Sequence, residues 1–473
     1  MLESHKQIML VEVLFLFLLS TLLAFTNQWV FFFFIAILLF LNTYIICGFI
    51  TINPITLSIV YILLSPFRRF ISIHQPFYFP TALPLEIILF LLIIFSLRHF
   101  NKIHLLDNVI FLFLCYYIWG FIEIFNPMGS ISIGTLGFRN RTMSSFFFLI
   151  SFLFVKNDND GNKLFDAIVI VLTIVGLYGI FHFFFPTSAE MSVYQQNLHQ
   201  SNYFMSANSD MRRAFSTLTS PGAFGVSMFL LFSMLVYKAS ELTSQNKVKY
   251  FILLTISMIA LLVSGSRSSL IAAILFLYLY FIFKGKLKDK IKFSIICFLS
   301  SVTIMFLLFT FGASDISSRI MGIFEPLEKG ASFATRLGLW DILYDSITKM
   351  PFGFGNGATG IEIGLDNDSV QLPDVITILT DNEYVTLLYE QGWVGCFLFL
   401  AMTTSLIYKM YFCLPVVENI KSNYFKFIIV LSVVYLILGI PIQLSQIFPI
   451  NIFMWILWGS SYAILKQEVQ RQI

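Results

Sequence analysis

A chain of 473 residues in which 58% are hydrophobic and only 12% charged, with a mean hydropathy of +0.84, carries too much apolar surface for a water-soluble globule. A polytopic membrane protein is left, and no nucleic-acid partner is expected. The net charge of +3 says little as a sum, but its distribution is informative.

The first apolar run begins after Lys6 with no small-residue cleavage site behind it, so it reads as a retained spanning helix and not a signal peptide. Runs long enough to cross a hydrocarbon core recur fourteen times, at about 8–25, 29–47, 51–65, 84–97, 105–125, 142–155, 164–184, 217–237, 249–264, 267–283, 291–311, 385–408, 426–441 and 447–464. They are continuously apolar and do not alternate with period two, which predicts an all-α fold and not a barrel. The organisation expected is eleven spans over 1–311, a large extracytoplasmic loop over 312–383, and three spans with a cytoplasmic tail over 384–473.

Threading these spans alternately puts the lysine-bearing connections on one side, with Lys6 and Lys466 among them. The positive-inside rule makes that side cytoplasmic, with both termini there. Of eighteen lysines only Lys329 and Lys349 fall outside. Arginine partitions the other way. Of eleven, Arg98 and Arg471 are inside, while Arg68, Arg69, Arg139, Arg141, Arg212, Arg213, Arg267, Arg319 and Arg336 lie at or beyond the outer face.

Two outer segments are long. One, about 185–216, contains "HQSNYFMSANSDMRRAF" and leads to Pro221, which suits a first helical turn. The other, about 312–383, holds eleven acidic residues against Arg319, Lys329, Arg336 and Lys349. Within it Leu339, Trp340, Leu343 and Ile347 recur at helical spacing opposite Asp341 and Asp345. That pattern predicts an amphipathic helix at the membrane surface, with Arg336 near its start and Pro351 ending it.

Cys47, Cys115, Cys297, Cys396 and Cys413 fall in apolar runs or cytoplasmic segments and read as packing residues. The six histidines show no pair at i, i+4 spacing, so no bound metal and no cofactor are expected. Arg68 and Arg69 read most simply as snorkelling to outer headgroups. Arg139 with Arg141, and Arg212 with Arg213, fit lipid contact or solvation as well as they fit a substrate.

Arg267 differs, because it sits in "SGSRSSL" between two apolar helices with almost no loop. A buried ion pair and a cavity-lining role are the alternatives there. Guanidinium is a flat fork of donors that keeps its proton and matches phosphate oxygens two at a time. Choosing arginine where lysine would mark topology equally well points to planar anion recognition on the outer face. Asp381 reads either as the N-cap of the following span or as the group that accepts or steers a sugar hydroxyl proton. Glu383 suits the first turn, and Gly392 with Gly395 allows close helix packing.

Taken in order, "SGSRSSL" (264–270), "TRLGLWDILYDSITKMPFGFGNG" (335–357) and "DNEYVTLLYEQGWVG" (381–395) resemble the signature of the Wzy/WaaL superfamily of O-antigen polymerases and O-antigen ligases. The resemblance covers roughly the C-terminal half. It implies a metal-independent, inverting glycosyltransferase of the bacterial inner membrane, acting on undecaprenyl-pyrophosphate-linked glycan at the periplasmic face, with a chain-length regulator as a further partner. It assigns Arg267 and Arg336 to the donor pyrophosphate. Asp381-Asn382 stands where ligases carry histidine-asparagine, which favours polymerase over ligase. Arg212, Arg213, Arg139, Arg141 and Asn382 complete the expected substrate contacts. The rival classes are a ligase acting on a lipid core and a lipid-linked oligosaccharide flippase. A flippase predicts two related halves and charges deep in several helices, neither of which the sequence shows.

Overall fold

The computed structural model describes residues 53–68, 107–188, 205–206, 209–218, 220–241, 247–284, 350–359, 382–417 and 419–472, with isolated positions between 85 and 96 and at 190, 191 and 348. Eleven α-helices are described, in chain order α1 (Pro54–Leu64), α2 (Asn108–Ile122), α3 (Ile131–Asn140), α4 (Thr142–Phe154), α5 (Asp158–Phe184), α6 (Pro221–Glu241), α7 (Lys247–Ser264), α8 (Arg267–Lys284), α9 (Glu383–Phe412), α10 (Asn419–Leu438) and α11 (Ile450–Gln472). A short antiparallel ribbon, β1 (Met205–Ser206) with β2 (Ser209–Arg212), interrupts the helices inside the first long outer segment. Neither that ribbon nor α3 was expected from the apolar pattern.

Helix starts follow local chemistry. Asp107 accepts the Val109 amide at 3.0 Å to open α2, Asn157 accepts that of Asp160 at 2.9 Å to open α5, and Ser220 accepts that of Ala223 at 3.1 Å to open α6. Pro221 occupies the first residue of α6, as expected. The helices themselves are apolar on all sides. Along α5, Ile168, Val171, Leu172 and Val175 are buried, while Ile170, Ile174, Leu177 and Phe181 form an exposed stripe at helical spacing. A helix that is hydrophobic all round and still exposes one face is solvated by hydrocarbon.

Among the described residues six segments are long and apolar enough to span a membrane: Asn108–Phe125, Asp158–Phe184, Pro221–Glu241, Arg267–Lys284, Glu383–Phe412 and Lys421–Leu438. The protein is therefore a multi-pass membrane protein. The predicted runs at 8–25, 29–47 and 291–311 lie outside the described residues, so fourteen is not the number of spans seen.

The last helix serves the interior. α11 is buried from Ile450 to Leu465 and lies against α4 so closely that a Cβ on Gly459 would sit 2.2 Å from the Phe148 carbonyl oxygen. Small residues do the same elsewhere. A Cβ on Gly179 would meet the Phe224 ring at 2.1 Å, so glycine is what lets α5 rest on α6.

Lysines gather at one end of the bundle. Asp107 takes Lys466 at 2.6 Å and Lys409 at 3.0 Å, Lys421 bridges Asp158 at 2.6 Å and Glu468 at 2.7 Å, and Lys238 meets Asp166 at 3.0 Å. Lys284 pairs with Glu241 beside them. The starts of α8 and α9 and the ends of α5, α7 and α10 form the opposite end, where the described arginines other than Arg471 are found.

Candidate functional site

At that arginine end the "SGSRSS" stretch is a tight turn between α7 and α8. Gly265 takes φ +61°, a conformation costly for any other residue, and its amide donates to Leu262 at 3.0 Å. Ser264 Oγ accepts the Ser266 amide at 3.2 Å, and the Ser266 and Ser269 hydroxyls lie 2.8 Å apart. Gly225 of α6 leaves room for this turn, since a Cβ there would lie 2.4 Å from Ser266 Cβ. The serines therefore satisfy one another inside the bundle, and Arg267 emerges as the first residue of α8 with its side chain exposed. No carboxylate among the described residues pairs with it. That exposure does not fit the buried ion pair considered for Arg267.

Arg213 comes to the same turn from the ribbon side. Its Nε donates to the Ser264 carbonyl at 3.2 Å, and the next amide, of Ala214, donates to Val263 at 3.0 Å. A Cβ on Gly265 would come within 3.1 Å of Arg213 Nε. Two predicted guanidinium residues thus converge on one turn. A cation in the first turn of a helix opposes the peptide dipole, and the open amides there favour an anion.

The residues after Arg213 pack on the C-terminal part of α5, beside a buried carboxylate, Glu190, that the sequence pattern did not single out. Phe215 lies edge-on to His182, ring centroids 4.4 Å apart, and Ser216, at φ +57°, donates to the Val175 carbonyl at 2.7 Å. Glu190 accepts Tyr178 OH at 2.5 Å and the amide and hydroxyl of Thr187 at 2.7 and 2.9 Å, with His182 Nε2 at 3.9 Å. Burial works to raise its pKa, but these hydrogen bonds and the nearby imidazole hold the carboxyl below the usual range.

The other motifs meet in a second assembly. α9 is kinked at Gly392, φ +65°, where a Cβ would strike the Pro351 oxygen at 2.3 Å. The "PFGFGNG" segment threads through the kink: Phe354 and Gly355 amides donate to Tyr389 and Glu390 carbonyls at 2.8 and 3.0 Å, and the Trp393 amide donates to Pro351 at 2.9 Å. Gly353, Gly355 and Gly357 all take positive φ. Gln391 Nε2 donates to Asn356 Oδ1 at 2.8 Å, and Asn356 Nδ2 donates to the Gly120 carbonyl at 2.6 Å. Gly392 was expected to allow helix packing; it makes the bend that admits this strand of glycines.

Arg141 belongs to that knot. It is 2% exposed and meets Glu390 at 3.4 Å, while Glu390 Oε1 also accepts from Thr359 Oγ1 at 2.6 Å. This is an internal role, different from the outer substrate contact expected of it. Arg139 is half-buried in the last turn of α3, with Nε 3.4 Å from Asn140 Oδ1. Asn382, expected to contact substrate, caps α9 through its Oδ1, which accepts the Tyr384 and Val385 amides at 2.9 and 3.1 Å. The cap is Asn382 and not Asp381. Arg212 ends β2, and Arg336, Asp381 and the amphipathic helix before Pro351 lie outside the residues whose side chains are described.

Residues 251–400 match the family Wzy_C, described as O-Antigen ligase. The family is shared by Wzy polymerases and WaaL ligases. The matched segment runs from α7 through the kink of α9 and contains all three motifs, with Arg267, Arg336, Asp381 and Asn382 inside it and Arg139, Arg141, Arg212 and Arg213 before it. The match spans about a third of the chain. No curated protein matches the chain.

Proposed function

We infer that the protein is a polysaccharide polymerase of the bacterial inner membrane, moving a growing glycan from undecaprenyl pyrophosphate onto a new lipid-linked repeat unit at the periplasmic face. The observation that carries this is the convergence of Arg213 and Arg267 on the turn opening α8, inside or beside the segment that matches Wzy_C. In a glycosyl pyrophosphate the leaving group is already good, so the task is to stabilise charge as the C1–O bond breaks. Fixed guanidinium groups and helix amides in a low-dielectric setting do that without a metal. Arg336, from the long outer loop, completes the clamp, with Arg212 and Arg139 at its rim. The acceptor hydroxyl attacks C1 from the opposite face, with inversion, and Asp381 orients it.

The Asp381-Asn382 pair, in place of histidine-asparagine, supports polymerase over ligase. The positive-inside rule, applied to the lysine end, puts both termini in the cytoplasm. The test is to supply lipid-linked repeat units alone to the protein in vesicles and resolve the products by size. A ladder of lengthening chains is expected. Transfer only when a lipid core is added would make it a ligase, and movement of units across the bilayer without elongation would make it a flippase.

A further inference from the structure

Glu383 stands apart from the other buried carboxylates of this end. Glu390 faces Arg141, Glu190 is held by Tyr178 and Thr187, and Glu123 accepts from Asn126. Glu383 is 3% exposed, and its Oε2 accepts the Ser445 amide at 2.9 Å. Its Oε1 is buried with no hydrogen-bond partner, and no cation among the described residues pairs with it. The Ser445 hydroxyl is likewise unpartnered.

Both residues line one narrow cavity between α9, α10 and α11, together with Tyr435, Asn451, Trp455 and Trp458. The free room suits a water molecule or a single hydroxyl group and not a sugar ring. A buried carboxylate oxygen without a donor is costly, so the fold maintains an acceptor whose donor arrives from elsewhere.

Its place in the bundle ties this acceptor to the cationic turn. The Glu383 amide donates to the Gly439 carbonyl at 2.8 Å, at the end of α10. α10 packs along α8, which begins with Arg267. The segment after α10 also passes beneath Arg68, whose guanidinium lies 5.7 Å from the Phe448 ring centroid.

We propose that Glu383 is the proton acceptor of the transfer step, taking the proton of the acceptor sugar's hydroxyl through a water molecule seated in the cavity that Glu383 shares with Ser445; this rests on the transferase reading above. The hydroxyl oxygen forms its bond to C1 of the donor sugar and the C1–O bond to pyrophosphate breaks. The bonding pair stays on the pyrophosphate, the hydroxyl proton passes to the cavity water as that water gives one of its own to Glu383 Oε1, and the proton leaves to bulk water once the products separate. Asp381 is left the task of orienting the incoming sugar.

The test uses the full chain in vesicles with lipid-linked repeat units. Glu383→Gln keeps an oxygen for the Ser445 amide but cannot take a proton. Elongation is expected to fall roughly 100-fold or more at unchanged KM and folded yield, with the rising limb of the rate–pH profile lost and partly restored in Glu383→Asp. Labelling by dicyclohexylcarbodiimide, which attacks carboxylic acids in apolar surroundings, is expected at Glu383 in the wild type. A Glu383→Gln rate within about twofold of wild type, or an unaltered pH limb, overturns the assignment. So does loss of that limb in Asp381→Asn and not in Glu383→Gln. Wild-type protein that elongates no lipid-linked unit overturns the transferase reading itself, whatever Glu383 does.

Discussion

At the lysine end of the bundle each described cluster of charge is balanced at contact distance: Asp107 by Lys409 and Lys466, Asp158 and Glu468 by Lys421, Asp166 by Lys238. At the arginine end Arg267 is exposed with no carboxylate among the described residues on it, Arg213 lies over a glycine turn, and Glu383 keeps an oxygen without a donor. Balanced charge fixes helices to one another and leaves nothing over for a ligand. Charge left open on a rigid turn costs stability in the empty protein, and the compensation comes from a bound anion or hydroxyl. The contrast separates scaffold from site, and it separates them within the arginine end as well, because the Arg141–Glu390 pair there is closed.

The largest effect is expected where a closed pair supports the open end. Glu390→Gln removes the carboxylate charge that faces Arg141 in a site where both side chains are almost fully buried. Losing one partner of a buried pair costs about 3–5 kcal/mol. The folded yield in mild detergent should drop sharply and cleavage within 351–359 by added protease should rise. A variant as stable as wild type would mean that the backbone and Asn356–Gln391 hydrogen bonds hold the knot without the ion pair.

Next comes the open charge itself. Arg267→Lys keeps the charge and the topology signal but loses the planar fork. Chain elongation should fall by about 100- to 1,000-fold, equivalent to about 2.7–4 kcal/mol, at normal protein abundance. Wild-type polymer from that variant would reduce Arg267 to a topology marker and erase the contrast between the ends.

How much of this the sequence carried depends on distance along the chain. Helices such as 142–155 and 267–283 were legible because apolar composition is local, and α4 and α8 lie close to those bounds. Pro221 was legible for the same reason. Among the described residues the partition of lysine and arginine between ends survives folding because alternate spans impose it. α3 was missed because its glycines and serine dilute the apolar signal of a ten-residue helix. The Arg141–Glu390 pair joins residues far apart in the chain, and no local pattern distinguishes an arginine that will be buried from one that will face an anion. Asp381 and Asn382 are both good caps, and only the backbone geometry chose Asn382. Glu383 had a sufficient local explanation as a first-turn acid, which concealed that its side chain turns inward to Ser445.

The smallest effect belongs to the closed end, and there it is pH that discriminates. Burial works to raise the pKa of Asp107, but hydrogen bonds from Lys466, Tyr462 and Lys409 outweigh it and hold the carboxyl well below the ordinary carboxylate range. A carboxyl depressed in the folded state contributes stability that is complete above its unfolded value of about 4 and is lost as the pH falls below that value toward the folded one. The thermal midpoint in detergent should therefore decline below about pH 4 in the wild type. Asp107→Asn should lower the midpoint at neutral pH, by about 1.5–3 kcal/mol of stability, and should flatten that acid limb. Elongation per folded molecule should be unchanged, because Asp107 sits at the opposite end of α2 from the cationic turn. A drop in specific elongation would show that the two ends are mechanically coupled through α2 and α9, and the division between scaffold and site would then have to be drawn elsewhere.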